Sequence, residues 1–355
     1  MKKYFLLAGL MLVLCTAGAV PGNSPAPPVT AADALGVGPL PLGPLPAVTA
    51  PATNPQDNAK VILGKQLYFD PRLSADGTVS CATCHDPAHG WSDKGPTSEG
   101  INGQMGGRRA PPVSNAAYHP LQFWDGRAAS LEEQAIGPIA NPIEMGFTHD
   151  ACVACLTGIP AYVDAFRDVF GTPHITIEQV GQAIAAYERT VVTTDSPFDR
   201  YARGDNSALT PLERQGLEVF NGKGHCTSCH WGPNFSDGRF HNLGVPQTGP
   251  LATDDGRYEV TKNPKDKGAF KTPTARDAGA RPPYLHTGGE KTIEDVIRFY
   301  NRGGGKNANL DPLMVPLGLS EREIEALVAF IEQGLASLNA EVANEPGIPA
   351  DQLPR

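Results

Sequence analysis

Two copies of the pattern C-x-x-C-H constrain this chain more than any other feature. They read CATCH at residues 81–85 and CTSCH at residues 226–230. Two thiols at this spacing attach a porphyrin through thioethers, and the histidine that follows becomes an axial ligand of its iron. A zinc or disulfide pair beside a histidine is the rival interpretation, but two copies make it a poor one. The sequence predicts two c-type haems, held by Cys81, Cys84 and His85 and by Cys226, Cys229 and His230.

The first residues resemble an export signal. Residues 1–19, MKKYFLLAGLMLVLCTAGA, combine two lysines, a short apolar run and a small-x-small cleavage site. This pattern predicts a secretory signal removed after Ala19. The run is too short to span a bilayer, and Leu14 disfavours the alternative of a lipid-modified Cys15. We therefore expect a periplasmic protein without a membrane span.

Helical periodicity dominates the rest of the chain. Apolar residues recur at helical spacing in segments 57–69, 160–170, 176–190, 210–220, 292–300 and 320–335, whereas strand patterns are few. Both halves follow the order helix, C-x-x-C-H, irregular loop, helices. We predict a mostly α fold of two cytochrome c-like domains, each with one covalently bound c-type haem. The expected divisions are the signal peptide 1–19, a Pro/Ala-rich extended linker 20–56, the first haem domain 57–205, the second 206–338 and a tail 339–355.

The net charge limits the possible partners. The formal net charge is −9, which argues against nucleic acid as a partner and is compatible with a basic electron-donor protein.

Cys152 and Cys155 form a third C-x-x-C pair that Leu156 follows, so no adjacent histidine can ligate a haem. An oxidising compartment favours a disulfide between them. Free buried thiols and a redox-active pair are the alternatives.

Longer stretches resemble a known family. LYFDPRLSADGTVSCATCHDP, APPVSNAAYHPLQFWDGRAASLEEQAIGPIANPIEMG, FKTPTARD and PYLHTGGEKTIEDVIRFYNRGG are similar to the bacterial dihaem cytochrome c peroxidases and their MauG-like relatives. The resemblance implies that hydrogen peroxide reacts at the His85 haem and that the His230 haem stores or relays an electron. The electrons would come from a small redox protein such as a cytochrome c or a cupredoxin. A MauG-like enzyme that oxidises side chains of a partner protein is the alternative, and a non-catalytic electron carrier or sensor is another.

Two further residues match catalytic positions of that family. Trp124 in QFWDGR corresponds to the tryptophan between the haems, where an indole shortens the electron path. Glu144 in NPIEMG corresponds to the acid above the peroxide-binding iron, which can take a proton from peroxide and return it to the departing oxygen. Outside their motifs, an ordinary core aromatic and a surface carboxylate would be the simpler interpretations.

The stretch after the first motif departs from many family members. They carry a removable histidine there as a second iron ligand, but SEGINGQMGGRR contains none. His89 is too close to His85 to reach the opposite face, and His119 matches no family ligand. The first haem is therefore expected to be five-coordinate or water-bound and open to peroxide.

The second haem has two candidate ligands opposite His230. By the resemblance, Tyr300 stands where other members carry a methionine and MauG-like proteins a tyrosine, and Met314 is the rival sulfur ligand. An anionic oxygen would stabilise the ferric state, whereas methionine would make a conventional electron-transfer haem. We favour Tyr300.

The resemblance also implies a calcium ion between the domains. The Pro283 carbonyl fits one ligand, but Arg109 stands where an asparagine is expected, and a guanidinium cannot bind a cation. Calcium then requires another oxygen, such as that of Asn115. His286, in the same motif, is expected to make a structural hydrogen bond. The family includes homodimers, but no dimer surface can be identified from this sequence.

Overall fold

The computed structural model describes residues 40–247 and 253–337. The expected signal peptide, the first part of the linker and the tail lie outside these ranges. Helices dominate, and none in the described part of the chain is long and apolar enough to cross a membrane. The α-helices of the described residues are α1 Asn58–Phe69, α2 Cys81–Cys84, α3 Leu131–Ala140, α4 His149–Thr157, α5 Pro160–Phe170, α6 Ile177–Glu188, α7 Pro197–Ala202, α8 Pro211–Asn221, α9 Tyr258–Thr261, α10 Ile293–Asn301 and α11 Glu321–Ala329.

Short elements complete the architecture. Strands β1 Phe240–His241 and β2 Phe270–Lys271 pair antiparallel, and a π-helical turn, Phe330–Gly334, extends α11. Single 3₁₀ turns span Pro71–Leu73, Pro87–His89, Ile101–Gly103, Ala116–Tyr118, Cys226–Ser228, Pro264–Asp266 and Ala278–Ala280.

Local sequence signals set the helix starts. The Thr210 hydroxyl accepts from the Glu213 N–H at 3.2 Å, and the Glu213 carboxylate accepts from the Thr210 N–H at 2.7 Å. Ser320 and Glu323 form the same reciprocal cap on α11. Each cap satisfies donors that the first turn leaves free, which is why these helices begin at the predicted residues.

Both halves repeat one helix crossing, at which a glycine allows backbones to touch. A side chain at Gly64 on α1 would place its Cβ 1.8 Å from the Ala183 carbonyl oxygen on α6. In the second half, a Cβ on Gly216 in α8 would lie 2.0 Å from the Ala326 oxygen on α11. In each half the glycine-bearing helix immediately precedes the C-x-x-C-H motif. The shared arrangement confirms the two cytochrome c-like domains.

The two cores divide the chain slightly before the expected boundary. The first is built on α1, α3, α4, α5 and α6, and the second on α8, α10 and α11. Phe198 on α7 is 3% exposed and packs in the second core. The packing therefore separates the halves before α7, several residues earlier than the predicted division after residue 205.

The last part of the expected linker is packed rather than free. Residues 40–56 form no helix or strand, as their composition predicts. The Gly43 carbonyl, however, accepts from the Arg276 guanidinium in the second half at 2.8 Å. The Asn54 amide, 1% exposed, donates to Glu132 in the first half at 2.8 Å. Residues 40–56 therefore tie the two halves together, because their main-chain and amide groups find buried partners.

A buried ion pair links α7 to the second half. The Arg276 guanidinium donates to both carboxylate oxygens of Asp199, at 2.8 and 3.0 Å, and each residue is 1% exposed. We expect Asp199→Asn to lower the free energy of unfolding by about 3–5 kcal/mol, because it leaves a buried charge without its partner. Denaturant unfolding of the holoprotein measures this. Asp164→Asn, which breaks an exposed pair with Arg167, should cost only about 0.3–0.5 kcal/mol; equal losses would contradict the prediction.

Candidate haem and peroxide site

The first C-x-x-C-H motif lies against the core of the first half. Its cysteines begin and end α2, and Cys81 packs on the core cluster that contains Leu67 and Tyr68. The Tyr68 hydroxyl donates to the His85 carbonyl at 2.9 Å and so fixes the residue after the helix. Burial lowers the pKa of His85, which keeps its imidazole neutral, as an iron ligand must be.

The second motif presents its histidine in a defined tautomer. Nδ1 of His230 lies 2.8 Å from the Phe235 carbonyl, which can only accept, so Nδ1 carries the proton. Nε2 is then left with a lone pair for a metal. Burial lowers the pKa of His230 and raises that of the Cys226 thiol to about 12. Both cysteines of the motif are free thiols.

An apolar cavity of about 220 Å³ opens beside the second motif. The cavity, the two free thiols and the oriented His230 together fit a covalently attached haem. The wall includes Cys226, Cys229, His230, Tyr300, Met314, Leu317 and Ile297.

The two candidate ligands of the second haem both line this cavity. Tyr300 comes from α10, and Met314 from the loop that follows it. Burial raises the pKa of the Tyr300 phenol, and the nearby Cys229 and Cys226 thiols raise it further. The phenol therefore lies close to the residues that attach the haem. The choice between Tyr300 and Met314 stays a prediction.

Glu144 lies near the first motif, half-buried. Its carboxylate accepts from the Asn141 side chain at 2.9 Å. Burial raises its pKa, while the Arg127 charge and the Asn141 hydrogen bond oppose the rise. Burial raises the pKa of the Cys84 thiol, and the charges of Asp93 and Glu144 raise it further. Asn141 lies in the NPIEMG motif and Arg127 in QFWDGR, but no sequence pattern predicts their influence on the Glu144 carboxylate.

Residues 98–106 form a tight hairpin against the Glu144 loop. The Gly100 N–H donates to the Gln104 carbonyl at 2.7 Å, and a Cβ on Gly100 would lie 1.9 Å from the Ile143 oxygen. The hairpin contains no histidine, and its Met105 is 47% exposed. This hairpin therefore supplies neither an imidazole nor a buried thioether as a ligand of the first haem.

His89 and His119, the other histidines near the first motif in the sequence, have different surroundings. The His89 Nδ1 lies 2.9 Å from the Asp86 carboxylate, with 43% of the side chain exposed. Burial lowers the pKa of His119, with Lys271 and Arg281 of the second half contributing. His119 therefore lies at the boundary between the halves.

Trp124 occupies the boundary between the halves. Its indole N–H donates to the Arg109 carbonyl at 2.8 Å, and its own carbonyl accepts from the Lys271 N–H at 2.8 Å. It also lines the cavity beside the second motif. The indole is thus held by the first half, while the Trp124 main chain is hydrogen-bonded to the second half.

Comparison with known proteins gives the family. The family model for di-haem cytochrome c peroxidase matches residues 58–207. Cytochrome-c peroxidase IdrP1 of Pseudomonas sp. strain SCT is 38% identical to this chain, over 88% of the chain and 90% of the relative. The chain belongs to the di-haem cytochrome c peroxidase family. Its members carry two covalently attached c-type haems, which agrees with the two motifs.

Both branches of the family are represented among the relatives. Methylamine utilization protein MauG of Methylorubrum extorquens AM1 is 41% identical, over 87% of this chain and 85% of the relative. A solved MauG-like protein associated with microbial copper homeostasis is 28% identical, with a TM-score of 0.78, and covers 85% of this chain and 97% of its own. The fold is therefore shared along almost the whole described chain.

The expected calcium ligands do not fit a metal here. The Arg109 guanidinium donates to the carbonyls of Arg281 and Pro282, beside Pro283. The Asn115 amide is hydrogen-bonded to Thr193, whose hydroxyl accepts at 2.6 Å and whose N–H donates at 2.9 Å. A positive side chain thus stands where a cation would need an oxygen, so the residues at this position do not fit a calcium ion.

His286 and the third cysteine pair also differ from expectation. The buried His286 Nε2 has no hydrogen-bond partner; the ring instead stacks on Phe270 at a centroid distance of 3.5 Å. Cys152 and Cys155 are free thiols within α4. The expected disulfide is therefore not formed in this structure.

Proposed function

We propose that this protein is a periplasmic dihaem peroxidase that reduces hydrogen peroxide to water. The proposal rests on one observation. Beside the first motif, the half-buried Glu144 lies next to the hairpin at residues 98–106, which contains no histidine and whose methionine is exposed. The reaction consumes one peroxide, two electrons and two protons and releases two waters. A haem iron with a vacant axial position supplies the site where peroxide binds and its O–O bond is reduced.

Glu144 accepts and donates the protons of this reaction. A carboxylate with a raised pKa can accept a proton from the oxygen of peroxide nearer the iron and return it to the oxygen that leaves as water. Asn141 holds the carboxylate by a 2.9 Å hydrogen bond. The Arg127 charge favours the ionised form that receives the proton.

Trp124 provides the electron path between the halves. Its indole lies at the boundary, held by the Arg109 carbonyl, and lines the cavity of the second haem. An aromatic ring at this position would shorten the distance that electrons must cross between the two haems. A haem held by Cys226, Cys229 and His230 would supply the second electron, and a small redox protein such as a cytochrome c or a cupredoxin would restore both electrons.

A MauG-like reaction is the second candidate. In it, the same pair of haems oxidises side chains of a partner protein. Tyr300 beside His230 favours it, because an oxygen ligand stabilises the higher oxidation states that such a reaction uses. Rapid peroxide turnover with a reduced small redox protein would favour the peroxidase reaction over the MauG-like one.

EPR of the ferric holoprotein tests the open site. We expect one high-spin and one low-spin haem, with the high-spin signal lost after one equivalent of peroxide. The control is the same titration after cyanide has filled the open position, which should abolish the change. Two low-spin haems that do not respond to peroxide would instead indicate an electron carrier or sensor.

A further inference from the structure

The Arg109 side chain is buried where the two halves meet. It is 4% exposed, and its guanidinium donates to the carbonyls of Gly95 at 2.6 Å, Arg281 at 3.1 Å and Pro282 at 3.2 Å. Gly95 belongs to the first half, and the other two residues belong to the second. One side chain therefore binds main-chain oxygens from both halves.

Its contacts are those of a cation among carbonyls rather than those of an ordinary ion pair. The three acceptors are all main-chain oxygens. Asp93 is near enough for its charge to oppose the effect of burial on the pKa of Arg109, which burial lowers to about 10. The guanidinium therefore still carries its charge at neutral pH. Carbonyl oxygens converging on one buried positive charge are also the arrangement in which proteins hold calcium.

We propose that Arg109 is a built-in cation that replaces the interdomain calcium and makes this protein independent of the metal. A guanidinium has five donors and no acceptor, so it satisfies the carbonyls while excluding a metal ion from them. A single side chain then supplies the charge and the cross-link that a bound ion would supply.

The Arg109 clamp, which is the guanidinium with its three carbonyl acceptors, is also connected to the proposed electron path. The Arg109 carbonyl accepts from the Trp124 indole at 2.8 Å, and the Arg109 N–H donates to the His286 carbonyl at 2.9 Å. The residue thus fixes the indole through its main chain and the two halves through its side chain. Arg109 is a positioning residue, since its side chain acts on the indole through its own backbone.

The first test uses the wild-type holoprotein, dialysed against EGTA and then against a calcium-free buffer. We expect far less than one calcium ion per chain by elemental analysis, and the same Tm with EGTA or with added calcium. Stoichiometric calcium, or a Tm that falls in EGTA and recovers with calcium, would overturn the proposal. Neither readout depends on peroxidase activity, so a failed functional assignment leaves it intact.

The second test replaces the guanidinium by an amide. In EGTA, Arg109→Asn should lower the Tm by several degrees, and Arg109→Lys, which keeps the charge, should lower it less. Calcium titrated into Arg109→Asn should raise the Tm, because an amide oxygen now joins the carbonyls of Arg281 and Pro282. A Tm equal to wild type in EGTA, or no rise with calcium, would count against the replacement.

The neighbouring arginine supplies a matched control. Arg108 also joins the halves, but through carboxylates: its guanidinium lies 2.6 Å from both Asp125 and Asp254. Arg108→Asn should weaken the boundary without creating a calcium response, because it leaves the Arg109 contacts in place. A calcium response in this variant equal to that of Arg109→Asn would show that any weakened boundary binds the metal, and the proposal would fail.

Discussion

Glu144→Gln should slow the reaction with peroxide by about 10²–10⁴-fold, the usual contribution of a positioned general acid and base. The amide has nearly the same shape and can keep a hydrogen bond to Asn141, but it cannot accept a proton. The rate constant is measured by stopped-flow mixing of the protein with peroxide. Haem content and the ferric EPR spectrum should not change, because the substitution leaves both attachment motifs intact.

The pH dependence gives a second check on the same residue. Glu144 must be ionised to receive a proton, and burial raises its pKa above the ordinary value of 4.5. As the pH falls through that raised pKa, the carboxylate is protonated and the rate should fall. The decline should therefore begin at a higher pH than an exposed glutamate would give, and the glutamine variant should lack it.

Glu99→Gln is the matched control for this prediction. Glu99 lies in the neighbouring hairpin but is exposed, so the same substitution should leave both the rate and its pH profile unchanged. A Glu144→Gln rate close to that of wild type would remove Glu144 from the proton chemistry. Water or another group would then have to carry the proton.

The sequence predicts most of the helices whose signals are local. Helix α5 begins and ends where the spacing places it, because proline at its first position and Gly171 after its last are read from a few residues. The apolar periodicity does not predict helix α3. It contains Gly137 and Pro138, which interrupt a periodic pattern, and it is stabilised by packing against α6 rather than by its own composition.

The residues of the site also fall into those that a local motif predicts and those whose contacts depend on distant parts of the chain. The haem attachment residues are predicted because each motif is contiguous. The Arg109 clamp depends on carbonyls of Arg281 and Pro282, which lie far away in the chain and belong to no side-chain pattern. Main-chain acceptors carry no residue identity, so the sequence could show that Arg109 was unsuited to calcium but not what it binds.

The second large effect concerns the ligand opposite His230. If Tyr300 ligates that iron, Tyr300→Phe should raise the reduction potential of the second haem by on the order of 0.1 V, within the ~0.8 V that axial ligands span. In the structure, burial and the neighbouring thiols keep the phenol neutral. A ferric ion favours the deprotonated form of a ligand, and the phenolate in turn stabilises ferric over ferrous iron.

Spectroelectrochemical titration, with absorption and EPR on the same samples, distinguishes Tyr300 from Met314. Met314→Leu is the matched partner, since it removes the sulfur and keeps an apolar side chain in the cavity wall. A tyrosine ligand predicts a changed low-spin spectrum only in Tyr300→Phe. A methionine ligand predicts the reverse: Met314→Leu would lose the thioether that favours ferrous iron, and the potential would fall. That reversal would make the second haem a conventional electron-transfer centre and remove the main support for MauG-like chemistry in this chain.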